Sequence, residues 1–249
     1  MDVAELTKSL AEYNSTVNDM AMSIAKATQP MALIIIGICF LIEMDSWWRY
    51  MKQEGTGLTS ELWLEVAFKY VIAYFLVMMS SQIFDAMLEM TNMIVKGINH
   101  ILPQVNESFN VDLGKIKGWF IKQVLKFIGG GVSYIAKLST KLIVMMRAFQ
   151  MYVLKACGPL LVAFFMADAT RSIAINLLKM FGATAFQGIL VFIIIRIYPA
   201  LVTSDLLSVN MSGTFESWMT ALSSIAKGVI FIFMLFGSQK LAKSLIGSM

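Results

Sequence analysis

Long apolar runs divided by short polar turns set the pattern of this chain. The longest such region, residues 142–202, contains a single acidic residue, Asp168, within the turn ADATRS. On either side of that turn lies an apolar block long enough to cross a bilayer core of roughly 30 Å with about 20 helical residues. The pattern predicts a membrane hairpin. An earlier span is expected from about Met22 to Met44, uncharged between Ala27 and Ile42, with Pro30 predicting a kink or a fresh helix start. A second is expected from ELWLEVAFKY to about Phe84, continuing as an amphipathic segment that ends before Pro103. Within it Glu65 and Lys69 stand four apart, the spacing of an ion pair on one helix face.

Polar stretches predict the remaining elements. In residues 2–19, Leu6, Leu10, Tyr13 and Val17 form one apolar stripe. That is an amphipathic helix fit to lie along a membrane surface, to pack on a partner, or to extend the first span. Between Pro103 and Gly131 the chain becomes loop-like. It then forms an expected interfacial helix whose lysines, Lys115, Lys122 and Lys126, oppose an aromatic side carrying Trp119. Three glycines at 129–131 predict a hinge.

The third span is expected from about Val132 to Ala167, with a kink at Gly158–Pro159, the fourth from Ile175 to Pro199 and the fifth from Trp218 to Gly237. Thr184 with Gly188, and Ser224 with Gly228, are small-xxx-small pairs where another helix can approach. Trp47 and Trp48 read as interfacial anchors. The expected class is therefore an all-α, polytopic transmembrane bundle of about five spans. Its units are an N-terminal amphipathic helix (1–21), a two-span hairpin (22–102), an extracytoplasmic loop with its interfacial helix (103–131), and a three-span C-terminal bundle (132–249).

Composition strengthens this reading. Charged residues make up 14% of the chain, where a soluble domain would carry about a quarter, and hydrophobic residues make up 58%. The formal net charge of +4 is too dispersed for a nucleic-acid-binding face and suits anionic phospholipids. Where the cations sit matters more. On a helical wheel Lys137, Lys141 and Lys155 fall within about 40° of one another, with Arg147 about 80° away. Arg147, Lys155 and Lys227 are expected at membrane depth, where a charge faces a bundle interior, a water-filled path or a partner of opposite sign. They are candidates for lining a channel, and Lys137 and Lys141 for lining or lipid contact. Lys179 and Arg196 lie at opposite ends of the fourth span, where snorkelling suffices. Lys240 and Lys243 near the C-terminus, against a loop at 200–217 without a basic residue, predict a cytoplasmic C-terminus and an outside N-terminus. The lysines of the 85–131 segment run against that orientation unless they bind lipid heads on the outer face.

Enzyme signatures are missing from the sequence. His100 is the single histidine, Cys39 and Cys157 both lie in apolar runs, and no phosphate loop, nucleophile elbow, metal-ligand spacing or pair of catalytic carboxylates can be found. No cofactor is expected. The first 20 residues lack the basic and apolar regions of a cleaved signal, so the first membrane segment is expected to remain in the product.

The segment ALIIIGICFLIEM and the following LWLEVAFKYVIAYFLVMMSSQIFD resemble the amino-terminal half of the TrbL-type polytopic subunits of type IV secretion systems, in the compact form of conjugative elements of Gram-positive bacteria. The stretch AFQMYVLKACGPLLVAFFMADATRSIAINLLKMFGATAFQGILVFII resembles that family's central hairpin. The matching positions are Glu43 and Lys69 in the first part, and Gly158, Pro159, Lys179 and Gln187 in the second. The resemblance spans roughly Ala32 to Ile195. It implies a non-enzymatic channel or scaffold subunit in a bacterial cytoplasmic membrane, with an outside N-terminus and a cytoplasmic C-terminus. It also implies a homo-oligomer that contacts cytoplasmic ATPases and extracytoplasmic components and handles transferred DNA or protein. The alternatives are a small secondary transporter coupling ions through Lys227 and Glu65, and a holin-like pore.

Overall fold

The computed structural model describes residues 3–54, 60–102, 119–167, 170–203 and 216–247. It is an all-α bundle. Two one-turn helices, α1 (Val3–Leu6) and α2 (Leu10–Tyr13), lead into α3 (Ser15–Glu54). Then come α4 (Ser60–Met78), α5 (Ser80–Ile101) and α6 (Trp119–Val162), which ends in a 3-10 turn, Ala163–Phe165. Helices α7 (Arg171–Thr203) and α8 (Glu216–Ile246) complete the fold. Four stretches, Ser15–Gln53, Phe127–Phe165, Arg171–Tyr198 and Ile225–Ile246, are helical, long and apolar enough to cross a membrane. The pair Trp63–Met78 and Ser80–Ile101 passes the same test together, bent by 69° at Met79, and makes a fifth candidate span.

Helix boundaries depart from expectation in three places. The first helix stays α-helical through Pro30, so no fresh helix starts there. The triple glycine lies inside α6 rather than at a hinge, so Trp119 begins the long third helix instead of a separate interfacial one. Each glycine costs a helix about 1 kcal/mol relative to alanine, but glycine permits a helix as well as a bend, and the turn here is tied by the Ser133 hydroxyl donating to the Gly129 carbonyl at 3.0 Å. The second span, expected to run straight to Phe84, breaks at Met79.

Residue pairs set the directions of the helices. Phe84 stacks on Phe181 with ring centroids 4.6 Å apart. Fifteen residues further along both helices, Asn99 accepts a hydrogen bond from the Arg196 guanidinium. Helix α5 therefore runs parallel to α7, in step over about 22 Å. Helix α8 returns antiparallel: the Gln187 amide donates to Ser238 at 3.3 Å, and Tyr198 packs on Phe231 at 4.9 Å. Helix α4 folds back on α3, with Tyr70 against Phe40 at 4.8 Å.

The surface is apolar where a soluble protein would be polar. Met31, Ile34, Ile38 and Leu41 on α3, and Phe68, Val71 and Phe75 on α4, point outward. The interior holds Ala32, Val77, Phe84, Met151 and Phe181 together with a set of polar groups, among them Arg147, Lys155, Asn18, Asn92 and Thr184.

Candidate functional site

The polar interior is built around the N-terminal segment. Its expected apolar stripe exists and faces inward: Leu6 and Leu10 are 3% and 1% exposed, and Tyr13 and Val17 pack against the core. The segment is not one helix. Ser9 opens α2 with a capping box, its hydroxyl accepting from the Glu12 amide at 3.3 Å while the Ser9 amide donates to the Glu12 carboxylate at 2.8 Å. Asn14 ends α2 in an extended conformation and caps α3, its Oδ1 accepting from the Val17 amide at 3.1 Å. The motif Ser-x-x-Glu is the signal in the sequence that marks this fresh start.

Two interruptions leave backbone carbonyls on the inward side of the segment that must find donors, because an unsatisfied carbonyl in an apolar interior is costly. The bundle provides them. Arg147 Nη1 donates to the Leu6 carbonyl at 3.4 Å, Asn92 Nδ2 to that of Lys8 at 3.3 Å, and the Tyr152 hydroxyl to that of Leu10 at 2.5 Å and of Asn14 at 3.4 Å. Tyr13 donates to the Glu5 carbonyl within the segment itself. Lys155 Nζ then donates to Asn18 Oδ1 at 3.1 Å in the first turns of α3. As the donor moves along α6 from 147 through 152 to 155, the acceptor moves from 6 through 10 and 14 to 18, so the segment lies parallel to α6.

The two deep cations are compensated differently. Lys155 is 1% exposed and forms an ion pair with Asp85 on α5, Nζ lying 2.8 Å from each carboxylate oxygen. Arg147 is 3% exposed and donates to backbone carbonyls: Nε to Thr184 at 3.0 Å, Nη2 to Ala185 at 3.1 Å, and Nη1 to Leu6. Its salt-bridge range holds no carboxylate among the described residues. The notch that admits the guanidinium is Gly188, where an added Cβ would overlap it, 2.6 Å from Nη2. At the Thr184–Gly188 pair, expected as a place where another helix can approach, it is the Arg147 side chain of α6 that fills the space over Gly188.

Other candidates scatter. Lys137 and Lys141 are exposed on α6 and Lys227 is half-buried on α8, so the basic stripe divides between surface and interior. The Lys227 carbonyl accepts the Tyr198 hydroxyl. Lys69 pairs not with Glu65, which is exposed, but with Glu43 on α3 at 2.7 Å, and Tyr70 donates to the other Glu43 oxygen at 2.7 Å. Glu43 lies on a neighbouring helix, out of reach of an i,i+4 rule. Gly158 is where the Phe84 ring presses on α6, and Pro159 beside it is buried while the helix continues to Val162. Gly228 is buried, Trp48 is exposed and Trp47 half-buried. The side chains of Ser224 and Trp119 lie outside the described set. Asp85, Asn18, Asn92 and Tyr152 carry much of the interior polar bonding, and no spacing rule brings them to notice. Among the described residues no three His, Cys, Asp or Glu side chains converge as a metal site.

No protein-family model matches this chain, and neither a curated protein nor a solved structure does so.

Proposed function

We propose that the chain is a multi-pass subunit of the bacterial cytoplasmic membrane that serves a type IV secretion (conjugation) machine as a non-catalytic scaffold or channel component. On this reading it is a homo-oligomer seated among anionic phospholipids, with an outside N-terminus and a cytoplasmic C-terminus. It passes DNA or protein between cytoplasmic ATPases and extracytoplasmic components. The observation that carries it is the division of labour in the bundle. Interior polar groups hold the chain's own elements together, Lys155 on Asp85 and Arg147 on α7 and the N-terminal segment, while α3 and α4 turn long apolar rows outward. That build suits assembly in a bilayer better than turnover of a small substrate. The resemblance over Ala32 to Ile195 supplies the kind of machine. Two of its positions, Glu43 and Lys69, are the partners of the salt bridge that joins α3 to α4.

The test is an in-frame deletion followed by a count of transconjugants in mating, with complementation from a plasmid. Loss of transfer restored by the plasmid is expected, with the purified protein running as a defined multimer. Unchanged transfer overturns the reading. A secondary transporter is the competing proposal, favoured by one observation: the 69° break at Met79 lies six residues before Asp85, and interrupted helices beside buried charges line transporter sites. Solute or ion flux in proteoliposomes, abolished by Asp85→Asn, would favour it.

A further inference from the structure

The geometry points to Arg147 as an oxyanion-binding residue that the N-terminal segment, residues 3–14, seals, and that opens when this segment leaves its seat between α5, α6 and α7. The inference concerns a site within the chain and holds whichever machine the chain serves.

Arg147 carries the argument. Lys155 is neutralised by Asp85, but among the described residues the hydrogen-bond acceptors of Arg147 are backbone carbonyls, with no carboxylate in salt-bridge range. A guanidinium at depth in an apolar bundle with no carboxylate beside it is a standing attraction for an anion. Two of its three bonds go to α7, which is fixed in the bundle. The third, to the Leu6 carbonyl, is the longest at 3.4 Å and goes to the segment. An anionic oxygen in place of that carbonyl would meet the same Nη1 donor with a full charge instead of a partial one.

The segment is built to come away as a unit. It joins α3 through one extended residue, Asn14, whose side chain caps α3 whether or not α2 is seated. It consists of two single turns, each far below the length at which a helix is stable alone. Its seat depends on the apolar contacts of Leu6 and Leu10 and on donors aimed at its backbone. The seat is also imperfectly satisfied: Asn92 donates to the Lys8 carbonyl, yet its buried Oδ1 has no donor among the described residues. Unseating would uncover Arg147 and Tyr152, the α6 donors to the carbonyls of residues 6, 10 and 14.

Thiol labelling in native membranes tests this directly. Two single-cysteine proteins are made in a Cys39→Ala, Cys157→Ala background: Leu6→Cys on the segment, and Met151→Cys one turn along α6 from Arg147 and beside Tyr152, in the core cluster that includes Leu10. Both positions are buried, at 3% and 1% exposure. The expected result is that both react with a small anionic thiosulfonate, and that Met151→Cys reacts about tenfold faster with the anionic reagent than with a cationic one, a preference that Arg147→Gln removes. Adding Leu10→Asp, which puts a charge in the apolar seat, should speed both reactions together. If that protein does not reach the membrane, Tyr152→Phe, which removes the donor to Leu10 and Asn14, should do the same to a smaller degree. Pyrophosphate slowing the Met151→Cys reaction would assign the oxyanion to a soluble source. Slowing in nanodiscs containing phosphatidylglycerol, relative to phosphatidylcholine alone, would assign it to lipid. The proposal is overturned if neither cysteine reacts, if Leu6→Cys reacts while Met151→Cys does not, or if the reagents' charge makes no difference.

Discussion

The Arg147 guanidinium on α6 occupies the volume into which any side chain at Gly188 on α7 would project. Nη2 and Nε then reach the Ala185 and Thr184 carbonyls, one turn before that glycine. One missing Cβ thus decides where a buried charge sits, which carbonyls it binds and how closely α6 and α7 pack. Gly188→Ala should force the guanidinium out of its notch and cost about 1–3 kcal/mol by overpacking alone, before any lost hydrogen bond is counted. Gly237→Ala on α8, where nothing lies within 4 Å of the added methyl, should instead be neutral or stabilising by a few tenths to about 1 kcal/mol. Thermal melts of the two purified variants give the comparison, and equal melting temperatures would remove the glycine notch as a determinant of the fold.

Lys155 and Asp85 should behave as a coupled pair. Removing the acid with Asp85→Asn leaves a lysine that is 1% exposed with Asn18 as its remaining acceptor. Breaking a fully buried pair costs about 3–5 kcal/mol. Asp85 is half exposed, so solvent screening lowers the expectation to about 2 kcal/mol. Lys155→Met with Asp85→Asn should recover part of that loss, since no unpaired charge is then buried. Urea or thermal unfolding of the single and double variants measures the coupling, and a double-variant cost equal to the sum of the singles would mean that none exists.

Much of the architecture could be read from hydropathy, because the bilayer demands long helices with satisfied backbones and little else. Hence the all-α class, the hairpin around 168 and the apolar stripe through Leu6 and Leu10 follow from residue patterns alone. Local rules failed where a tertiary partner decides. Lys69 has a carboxylate four residues before it, yet Glu43 on another helix takes it, with Tyr70 as a second donor. The glycines at 129–131 allow a hinge, but continuity with the apolar helix beyond them prevails. The buried seam was half legible. Arg147 and Lys155 are conspicuous as charges in apolar runs, while Asp85 and the backbone carbonyls of residues 6, 10 and 14 are not, since a carbonyl has no sequence signature and Asp85 is seventy residues from its lysine.

The salt bridge between α3 and α4 allows a charge-exchange test. Glu43→Lys or Lys69→Glu alone places like charges at the 2.7 Å contact and should loosen the α3–α4 hairpin. The double exchange should restore it. Both groups are partly exposed, at 33% for Lys69 and 21% for Glu43, so the coupling should be modest, on the order of 1 kcal/mol or less.

Acid should loosen the N-terminal segment. The Glu12 carboxyl is held below the usual glutamate range, chiefly by the Ser9 backbone amide, then by the Ser9 hydroxyl and, at longer range, by Lys96 and Lys8. A carboxylate with a lowered value stabilises the seated form at pH above the ordinary glutamate value of about 4.3, and that contribution disappears as pH falls through the lowered one. Hydrogen exchange of the peptide covering residues 3–14, corrected for intrinsic rates, should therefore show protection declining below pH about 4, with the decline absent in Glu12→Gln. Constant protection across that range in the unaltered protein would separate the capping box from the seating of the segment.

Membrane topology follows from helix direction once a single side is assigned. Helix α5 runs parallel to α7, as the Phe84–Phe181 and Asn99–Arg196 pairs require, so the chain leaving α5 at Ile101 and the chain leaving α7 at Thr203 emerge on the same face. The turn before Arg171 emerges on the other. Cysteines at Asp112 and Asp205 should consequently label together, and a cysteine at Asp168 only from the opposite side, whichever way the protein is inserted. In the orientation proposed above, with the basic tail at Lys240 and Lys243 on the cytoplasmic side, the Asp205 side faces the exterior. A membrane-impermeant maleimide added to intact cells is therefore expected to reach 112 and 205 and to spare 168 until the cells are opened. Labelling of 168 alone would keep the fold and invert the orientation, whereas opposite behaviour of 112 and 205 would break the parallel pairing of α5 with α7 on which the seating of the N-terminal segment depends.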